Sequence, residues 1–341
     1  MPTTRLEQAR AFVDKNGWSG RDLTIVAGDA SNRKYYRLKD TDESVILMDA
    51  PPETGEDTKP FINISMYLEG SGLSAPRIVK ADTQAGFLLI EDFGDDLFAR
   101  LLERNLALES DLYEAATDVL LHLHKQRAPK LPKYDAALMS ELAALSVVWY
   151  RYGATGIEDT VLAEEMQARI YALLNPLDTD AQVLIQRDYH AENLIWLPER
   201  KGVRRVGLLD FQGAMLGHPA YDLVSVLQDA RRDVGHDVTQ SMCTRYVKTS
   251  DRNEEDFMAA YYALGLQRNL RILGVFARLG IRDGKPQYLD LMLRVWGHIE
   301  TNLNALGNRA LSDFVRSCLP NPTPQFLETL RSKCPKSPPQ S

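Results

Sequence analysis

The hydrophobic pattern at the start of the chain predicts one helix followed by several strands. Arg5–Asn16 places Leu6, Ala9 and Val13 at helical spacing, and Gly17 follows as a stop signal. After it, apolar and β-branched residues gather in runs that are too short for helices and are separated by turn residues, as is typical of strands. The predicted strands are Leu23–Val26, Lys34–Leu38, Ser44–Asp49 and Phe87–Ile90.

From about Leu97 onward, apolar residues recur every three or four positions, which predicts a mostly helical region. In Met139–Arg151, for example, Leu142, Leu145 and Trp149 would form one stripe that faces a core. A helix is also predicted between the third and fourth of the predicted strands. Apart from Met139–Arg151, the predicted helices are Lys59–Leu68, Tyr221–Arg232, Glu254–Leu279 and Gln287–Leu306.

Two apolar runs interrupt the helical region, and each is followed by a carboxylate. Asp188 comes after Val183–Ile185, Asp210 comes after Val206–Leu209, and Asn193 lies between them. Phosphoryl transfer needs a carboxylate that accepts or orients the acceptor's proton, and oxygen ligands that hold Mg²⁺ against nucleotide phosphates. The three polar side chains fit those roles. The plain alternative is a β-hairpin in which the first Asp caps a turn and the second ends a strand.

Composition restricts the class of function. The chain has 341 residues, enough for two lobes, and a net charge of −7, which gives no basic surface for general nucleic-acid binding. Its three cysteines are scattered and lack C-x-x-C spacing, which indicates a reducing compartment. Residues 1–25 lack the apolar core of a signal peptide, and no apolar run is long enough to span a bilayer. We therefore expect a soluble, cytoplasmic protein without membrane contact, and the sequence indicates no particular oligomeric state.

The segment around the first carboxylate resembles a known catalytic loop. Q-R-D-Y-H-A-E-N, residues 186–193, is similar to the H-x-D-x-H-x-x-N loop of the aminoglycoside phosphotransferase and choline kinase superfamily, with Gln186 in place of the first His. L-L-D-F-Q, residues 208–212, resembles the metal-binding segment of the same superfamily. Residues 217–232 and 267–279 are more similar still to one branch, the anomeric sugar kinases that act on N-acetylmuramate and N-acetylglucosamine in bacterial cell-wall recycling.

This resemblance implies an α+β, protein-kinase-like fold with two lobes. Residues 1–91 would form a nucleotide-binding lobe with an antiparallel sheet, and residues 92–341 a mostly helical lobe with the catalytic loop and the substrate site. ATP and Mg²⁺ would bind in the cleft between the lobes. Asp188 would orient or deprotonate the acceptor hydroxyl, while Asn193 and Asp210 would bind the metal.

The resemblance also implies a set of nucleotide contacts. The loop between the first two strands would bring backbone N–H groups to the phosphates, and the segment after Phe87–Ile90 would be a hinge that binds adenine. Asp92-Phe93-Gly94 in that hinge imitates the metal-binding D-F-G of protein kinases, but it precedes the catalytic loop, so we interpret it as a decoy. The alternative for the loop between the first two strands is a plain hairpin turn, and the alternative for the hinge is an acidic loop. The residues expected at the nucleotide are Gly28, Asp29, Ala30, Ser31, Arg33, Ile90, Glu91 and Phe93.

One part of the expected phosphate site is missing from the sequence. In the superfamily, a Lys on the third strand pairs with the phosphates and with a Glu on the following helix. Here Met48 stands at the expected Lys position, and the helix carries no central Glu. Either a basic residue such as Arg33, Lys34 or Arg37 replaces the Lys, or the protein is a nucleotide-binding pseudokinase that acts through a partner. The intact catalytic residues favour a replacement.

The acceptor is expected to be a small molecule with a hydroxyl group. The branch resemblance favours an amino sugar, and an aminoglycoside is the alternative. Asp222 is predicted either to cap its helix or to brace the catalytic loop from beneath. Arg231 and Arg232, at the far end of that helix, would offset its dipole or contact an anionic sugar.

Overall fold

A computed structural model of the chain describes residues 4–28, 32–41, 43–179 and 182–335. The strands in these residues are β1 (Thr24–Gly28), β2 (Lys34–Lys39), β3 (Ser44–Asp49), β4 (Ile78–Asp82), β5 (Phe87–Glu91), β6 (Val183–Ile185), β7 (Leu194–Trp196), β8 (Val206–Leu208) and β9 (Met215–Gly217). The α-helices are α1 (Arg5–Lys15), α2 (Lys59–Gly70), α3 (Phe98–Arg104), α4 (Glu109–Leu123), α5 (Ala136–Ala143), α6 (Tyr152–Thr155), α7 (Thr160–Leu174), α8 (Ala220–Leu227), α9 (His236–Ser250), α10 (Glu254–Ile281), α11 (Met292–Leu306), α12 (Arg309–Cys318) and α13 (Pro324–Ser332).

The chain divides into two compact units. The first combines Met1–Gln126 with Ala191–Ala214, and the second combines Arg127–His190 with Met215–Ser341. These units follow from the packing of the chain and do not identify ligand-binding lobes, so the lobe boundary after residue 91 stays a prediction. Within the described part of the chain, no helix is both long and apolar enough to cross a membrane.

The first unit is built on a five-stranded antiparallel sheet in the order β1-β2-β3-β5-β4. The strands β3 and β5 lie inside the sheet and are mostly buried, so their sequences are continuous apolar runs rather than alternating ones. The edge strand β4 is largely exposed, and the hydrophobic pattern therefore missed it. The first predicted strand was placed too early, since β1 begins at Thr24 and ends at Gly28.

The helix α1 packs its apolar stripe against one face of this sheet. Thr4 and Glu7 form a capping box at its first turn, and Arg5 Nε donates to Asp49 Oδ1 at 2.8 Å, which ties the helix to the end of β3. Each fully buried Leu or Phe side chain in such a core contributes about 1.5–3 kcal/mol. The buried residues of this core are Ala9, Val13, Leu38, Val45, Leu47, Phe87 and Leu89.

A short hairpin made of β7 and β8 also belongs to the first unit. The two strands pair antiparallel, with Leu194 opposite Leu208. Backbone hydrogen bonds fix the hairpin on both sides, because Leu208 N–H donates to Ser74 O at 2.8 Å and Trp196 N–H donates to Asp96 O at 2.8 Å. The hairpin is therefore held by the main chain and not only by side-chain packing.

The second unit is mostly helical and is organised around the long helix α10. Gly274 on this helix lies against another backbone segment so closely that an added Cβ would lie 2.4 Å from the carbonyl oxygen of Leu145. The segment it meets, Ser146–Arg151, is a π-helical turn that follows α5. The strands β6 and β9 form a separate antiparallel pair, with Leu184 opposite Leu216.

Three predicted helices of this unit need correction. Met139–Arg151 is not one α-helix, because the π-helical turn widens its second half. The stripe that is buried consists of Met139, Ala143, Val147 and Tyr150, whereas Leu142, Leu145 and Trp149 are half-buried.

The helix predicted over Tyr221–Arg232 ends at Leu227, so Arg231 and Arg232 lie beyond it and do not offset its dipole. The helix predicted over Gln287–Leu306 begins at Met292, because Pro286–Leu291 forms a 3-10 helix. In both cases the predicted helix included a segment whose backbone is not α-helical.

Candidate functional site

The hairpin of the first unit brings two candidate metal ligands side by side. Asn193 directly precedes β7, and Asp210 lies two residues after β8. The Leu209 N–H donates to the Asn193 carbonyl at 3.0 Å, which continues the pairing of the two strands up to these residues. Asn193 and Asp210 are both half-buried. The predicted return of an Asp to the end of the sheet that carries Asn193 is thus confirmed for this pair.

Asp210 has an unusual backbone conformation that directs its side chain. Its φ of 53° lies in the left-handed region, where Asp and Asn are tolerated better than most residues. Gln212 donates from Nε2 to the Asp210 carboxylate. The next residue, Phe211, is fully buried and packs against Phe61 of α2 with ring centroids 4.9 Å apart. The two residues that follow Asp210 therefore help to hold it in this left-handed conformation.

This pair is suited to Mg²⁺ rather than to a softer metal. Both side chains supply hard oxygen atoms, and Mg²⁺ commonly takes one or two protein ligands together with phosphate oxygens and water. Among the described residues, no group of three or more His, Cys, Asp and Glu side chains could hold a metal ion by itself. The donor set thus fits a metal that arrives with a nucleotide.

Asp188 belongs to the second unit, in the loop that follows β6, and its backbone is clamped from two directions. The buried Asp222 carboxylate accepts the N–H of Gln186 at 2.6 Å and the N–H of Arg187 at 2.9 Å. From the other side, Ser225 Oγ donates to the Arg187 carbonyl at 3.2 Å, and Arg268 Nη1 donates to it at 3.1 Å. These four bonds hold the peptide groups immediately before Asp188.

The clamp supports a strained residue. Arg187 has a φ of 71°, which is costly for a long side chain. The prediction that Asp222 braces the loop is confirmed, whereas the alternative of a helix cap is wrong, since α8 has no side-chain cap at its first turn.

Burial and charge act in opposite directions on the carboxylates near this loop. Burial would raise the pKa of Asp188, but the cationic side chains of Arg268 and Arg271 outweigh it and lower that pKa. Asp222 is fully buried, and burial raises its pKa to about 6, although the backbone N–H groups of Gln186 and Arg187 offset part of the effect. Asp188 therefore stays ionised near neutral pH, while Asp222 titrates close to the physiological range.

A cluster of guanidinium groups surrounds two tyrosine rings next to Asp188. The rings of Tyr134 and Tyr221 meet edge to face with centroids 5.1 Å apart. Arg187 Cζ lies 5.0 Å from the centre of the first ring, and Arg268 Cζ lies 5.7 Å from the centre of the second. Arg271 Nη1 donates to the Tyr221 hydroxyl at 3.5 Å. Stacking on aromatic faces stabilises such cations in a buried setting.

In the first unit, the structure separates the basic residues that were candidates to replace the missing Lys. Arg37 is engaged by two carboxylates, with Nε 2.7 Å from Asp92 Oδ2 and Nη1 2.8 Å from Asp95 Oδ2. Lys34 is exposed. Arg33 Nε donates to Glu56 Oε2 at 2.6 Å, and both side chains are mostly buried.

The Arg33–Glu56 pair joins a basic side chain to a glutamate, as the missing Lys–Glu pair would. Arg33 directly precedes β2 and follows the loop expected at the phosphates, and Glu56 precedes α2. Met48 is fully buried in β3 and offers no charge at the expected Lys position. Gly28 is the last residue of β1 and pairs with Lys34, whereas Asp29, Ala30 and Ser31 lie outside the described residues.

Two of the predicted hinge residues, Ile90 and Glu91, lie in β5, and Phe93 follows the strand. Ile90 is buried in β5, opposite Ile46 of β3. The Glu91 N–H already donates to the Arg77 carbonyl at 2.9 Å, and its carboxylate lies 2.7 Å from Arg200 Nη2. The Phe93 ring lies under the same guanidinium at 4.9 Å. Adenine binding by this segment stays a prediction.

Several residues of the site were missed by reasoning from sequence. Ser225, Arg268 and Arg271 hold or surround the Asp188 loop, and Glu56 orients Arg33. Arg268 and Arg271 are three apart on α10, so their spacing alone placed them on one face of a helix. Ser225 and Glu56 carried no comparable signal, because their partners are distant in sequence.

The sequence of the chain is similar to those of known phosphotransferases and kinases. The model of a family described as the phosphotransferase enzyme family matches residues 22–261. A protein from Caulobacter vibrioides named N-acetylmuramate/N-acetylglucosamine kinase is 39% identical over 329 residues, and the match covers 85% of this chain and 90% of that protein.

Solved structures show the same fold at low sequence identity. A choline kinase from Streptococcus pneumoniae gives a TM-score of 0.58 at 13% identity, covering 89% of this chain and 99% of its own. An ADP-bound aminoglycoside phosphotransferase also gives 0.58, at 14% identity, covering 88% of this chain and 98% of its own. The predicted protein-kinase-like fold is thereby confirmed.

Proposed function

The chain belongs to the phosphotransferase enzyme family, and we propose that it transfers the γ-phosphoryl group of ATP to a hydroxyl group of an amino sugar, with N-acetylmuramate and N-acetylglucosamine as acceptors. The observation that carries this proposal is the 39% identity, over 85% of the chain, to a protein named as the kinase of these two sugars. The polar residues expected for the chemistry are all present, which favours an active enzyme over a pseudokinase. Free cysteines and the use of ATP support a cytoplasmic location.

In this mechanism the acceptor oxygen forms a bond to the γ-phosphorus as the bond to the ADP oxygen breaks. The acceptor's proton passes to the Asp188 carboxylate. The lowered pKa of Asp188 makes it a weak base, which is adequate because the loose transition state requires little early removal of the proton. Its main contribution is then to orient the hydroxyl, and the clamp on Arg187 fixes that orientation.

The other roles fall to the first unit. Asn193 and Asp210 would hold Mg²⁺, which neutralises charge on the phosphates when bound. Arg33, oriented by Glu56, would take the phosphate contact of the missing Lys. Gly28 together with the loop of Asp29, Ala30 and Ser31 would supply backbone N–H groups, and the segment of Ile90, Glu91 and Phe93 would bind adenine.

Phosphorus NMR of the reaction mixture tests the proposal. The protein is incubated with ATP and Mg²⁺ and with one acceptor at a time: N-acetylmuramate, N-acetylglucosamine or kanamycin. We expect a new sugar phosphate signal with each of the two amino sugars and none with kanamycin. Phosphorylation of kanamycin alone would favour an aminoglycoside phosphotransferase. A thermal shift with Mg-ATP but no product from any acceptor would favour the pseudokinase.

A further inference from the structure

The cations around Asp188 are more numerous than its own charge requires. Three guanidinium groups, those of Arg187, Arg268 and Arg271, gather on the Tyr134–Tyr221 ring pair. Like charges that share a partly dehydrated site repel one another, and such a site is stabilised when an anion joins it. Two carboxylates, Asp188 and Asp222, face these three cations, so the cluster still favours one further anion.

The three cations differ in what they already bind. Arg268 is buried and donates to the Arg187 carbonyl, so it supports the loop. Arg271 is half-buried, and its hydrogen bond is a long one of 3.5 Å to the Tyr221 hydroxyl. Among the described residues, no carboxylate oxygen lies within ion-pair distance of Arg271. It is therefore the member of the cluster that keeps its charge for a ligand.

The position of Arg271 indicates which ligand this is. It donates to the hydroxyl of Tyr221, whose ring lies beneath Arg268, and Arg268 donates to the carbonyl of the residue just before Asp188. Because Asp188 would meet the acceptor hydroxyl, Arg271 lies on the acceptor side of the site. The two acceptors of the proposed function differ by a lactyl ether, which gives N-acetylmuramate a carboxylate and leaves N-acetylglucosamine neutral. A planar guanidinium matches a carboxylate with two parallel hydrogen bonds.

We propose that Arg271 binds the carboxylate of an acidic acceptor sugar and so determines the preference for N-acetylmuramate over N-acetylglucosamine. This inference rests on the proposed function. It assigns a specificity residue to α10 that neither the catalytic-loop motif nor the metal-binding motif contains. The earlier expectation that Arg231 or Arg232 meets an anionic sugar is a different assignment, and the same experiment separates the two.

Steady-state kinetics with paired acceptors test the assignment. Arg271→Met and Arg271→Lys are compared with Arg282→Met, which removes an exposed cation just after the same helix. We expect Arg271→Met to raise KM for N-acetylmuramate by about tenfold or more, and to leave KM for N-acetylglucosamine within about twofold. Arg271→Lys should be intermediate, because it keeps the charge without the fork. The Arg282→Met control should behave as the wild type with both sugars.

A methyl ester of N-acetylmuramate separates charge from size. It keeps the lactyl group but is neutral, so the wild type should bind it as weakly as Arg271→Met binds the free acid. Thermal melting and Mg-ATP binding of each variant verify that it is folded.

Other outcomes would overturn the assignment. An equal fall of kcat with both sugars and unchanged KM would show that Arg271 acts on the reaction itself, through Asp188 or the transferred phosphoryl group, and not on the sugar carboxylate. A selective loss of N-acetylmuramate binding in Arg231→Met or Arg232→Met, but not in Arg271→Met, would move the carboxylate site there. If the wild type phosphorylated neither sugar, the proposed function would fail and this inference with it.

Discussion

The Asp222 carboxylate accepts the backbone N–H of Arg187 at 2.9 Å, and it does so from a fully buried position where its pKa is raised to about 6. A carboxylate that is costly to ionise thus holds the residue immediately before Asp188. The backbone N–H groups that it accepts recover only part of that cost. The stability of the protein should therefore depend on pH through this one side chain.

We expect Asp222→Asn to change the pH dependence of unfolding. The folded pKa of Asp222, about 6, lies above the ordinary Asp value of 3.8, so the stability from its protonated form is present below pH 3.8 and is lost as pH rises through 6. The difference in unfolding free energy between wild type and variant should therefore be larger at pH 4.5 than at pH 7.5, by about 2 kcal/mol.

Urea unfolding at the two pH values measures this difference. Asp237→Asn, an exposed Asp in the first turn of α9, serves as the control and should show no such dependence. An equal difference at both pH values would show that Asp222 does not titrate between them.

Asp188→Asn should remove most catalysis without disturbing nucleotide binding. An amide cannot accept the acceptor's proton, and groups that do so contribute roughly 10²–10⁴-fold to rate. We expect kcat to fall by about that factor while KM for Mg-ATP stays within about twofold. Initial rates of sugar phosphate formation give both constants, and Asp237→Asn again provides the matched control. Normal turnover by a folded Asp188→Asn protein would remove Asp188 from the mechanism.

The Arg33–Glu56 pair should affect nucleotide affinity more than stability. Arg33→Met removes the cation that we assign to the phosphates, and we expect the Kd for Mg-ATP to rise by about tenfold, as for a lost charged hydrogen bond. Glu56→Gln keeps the cation but loosens its orientation, so its effect should be smaller. Calorimetric titration measures both.

Arg21→Met is a suitable control, since it breaks an ion pair between Arg21 and Asp40 that is more exposed. Unchanged Mg-ATP affinity in Arg33→Met would mean that another residue replaces the missing Lys.

Gly274→Ala should destabilise the second unit. An added Cβ would lie 2.3 Å from the Leu145 carbonyl carbon, and a backbone clash of this kind cannot be relieved by a rotamer change. Overpacking costs roughly 1–3 kcal/mol, more than the gain of about 1 kcal/mol from replacing Gly in a helix. Gly297→Ala on α11, where no atom lies within 4 Å of the new Cβ, should be neutral or stabilising. Thermal melting should therefore show a lower Tm for Gly274→Ala and an unchanged or higher Tm for Gly297→Ala.

Much of this molecule was predictable from sequence where local pattern and tertiary environment agree. β3, β6 and the Asn193–Asp210 hairpin were found because apolar runs ended at polar residues of distinctive spacing. The edge strand β4 was missed because its side chains are exposed. The π-helical turn at Ser146–Arg151 was missed because apolar periodicity does not reveal how many residues a turn contains.

Ion pairs between residues that are distant in sequence were the other feature that could not be predicted. Nothing local to Arg33 indicates that it pairs with Glu56, or that Arg37 is committed to Asp92 and Asp95. Each partner lies far away in the sequence and is a common surface residue type. The sequence identified the three basic candidates for the missing Lys, and only the folded arrangement distinguishes them.

The left-handed backbone places a folding constraint at Arg187, next to the functional Asp188, and at the functional Asp210 itself. In a saturation library scored for folded abundance instead of activity, β-branched residues should be depleted at both positions, because this conformation costs them about 1–2 kcal/mol. Glycine and asparagine should be enriched at both. Asp210→Asn would then accumulate as a folded but inactive protein, whereas Asp210→Val would lose both folded abundance and activity. At this position, abundance would depend on the backbone conformation and activity on the carboxylate.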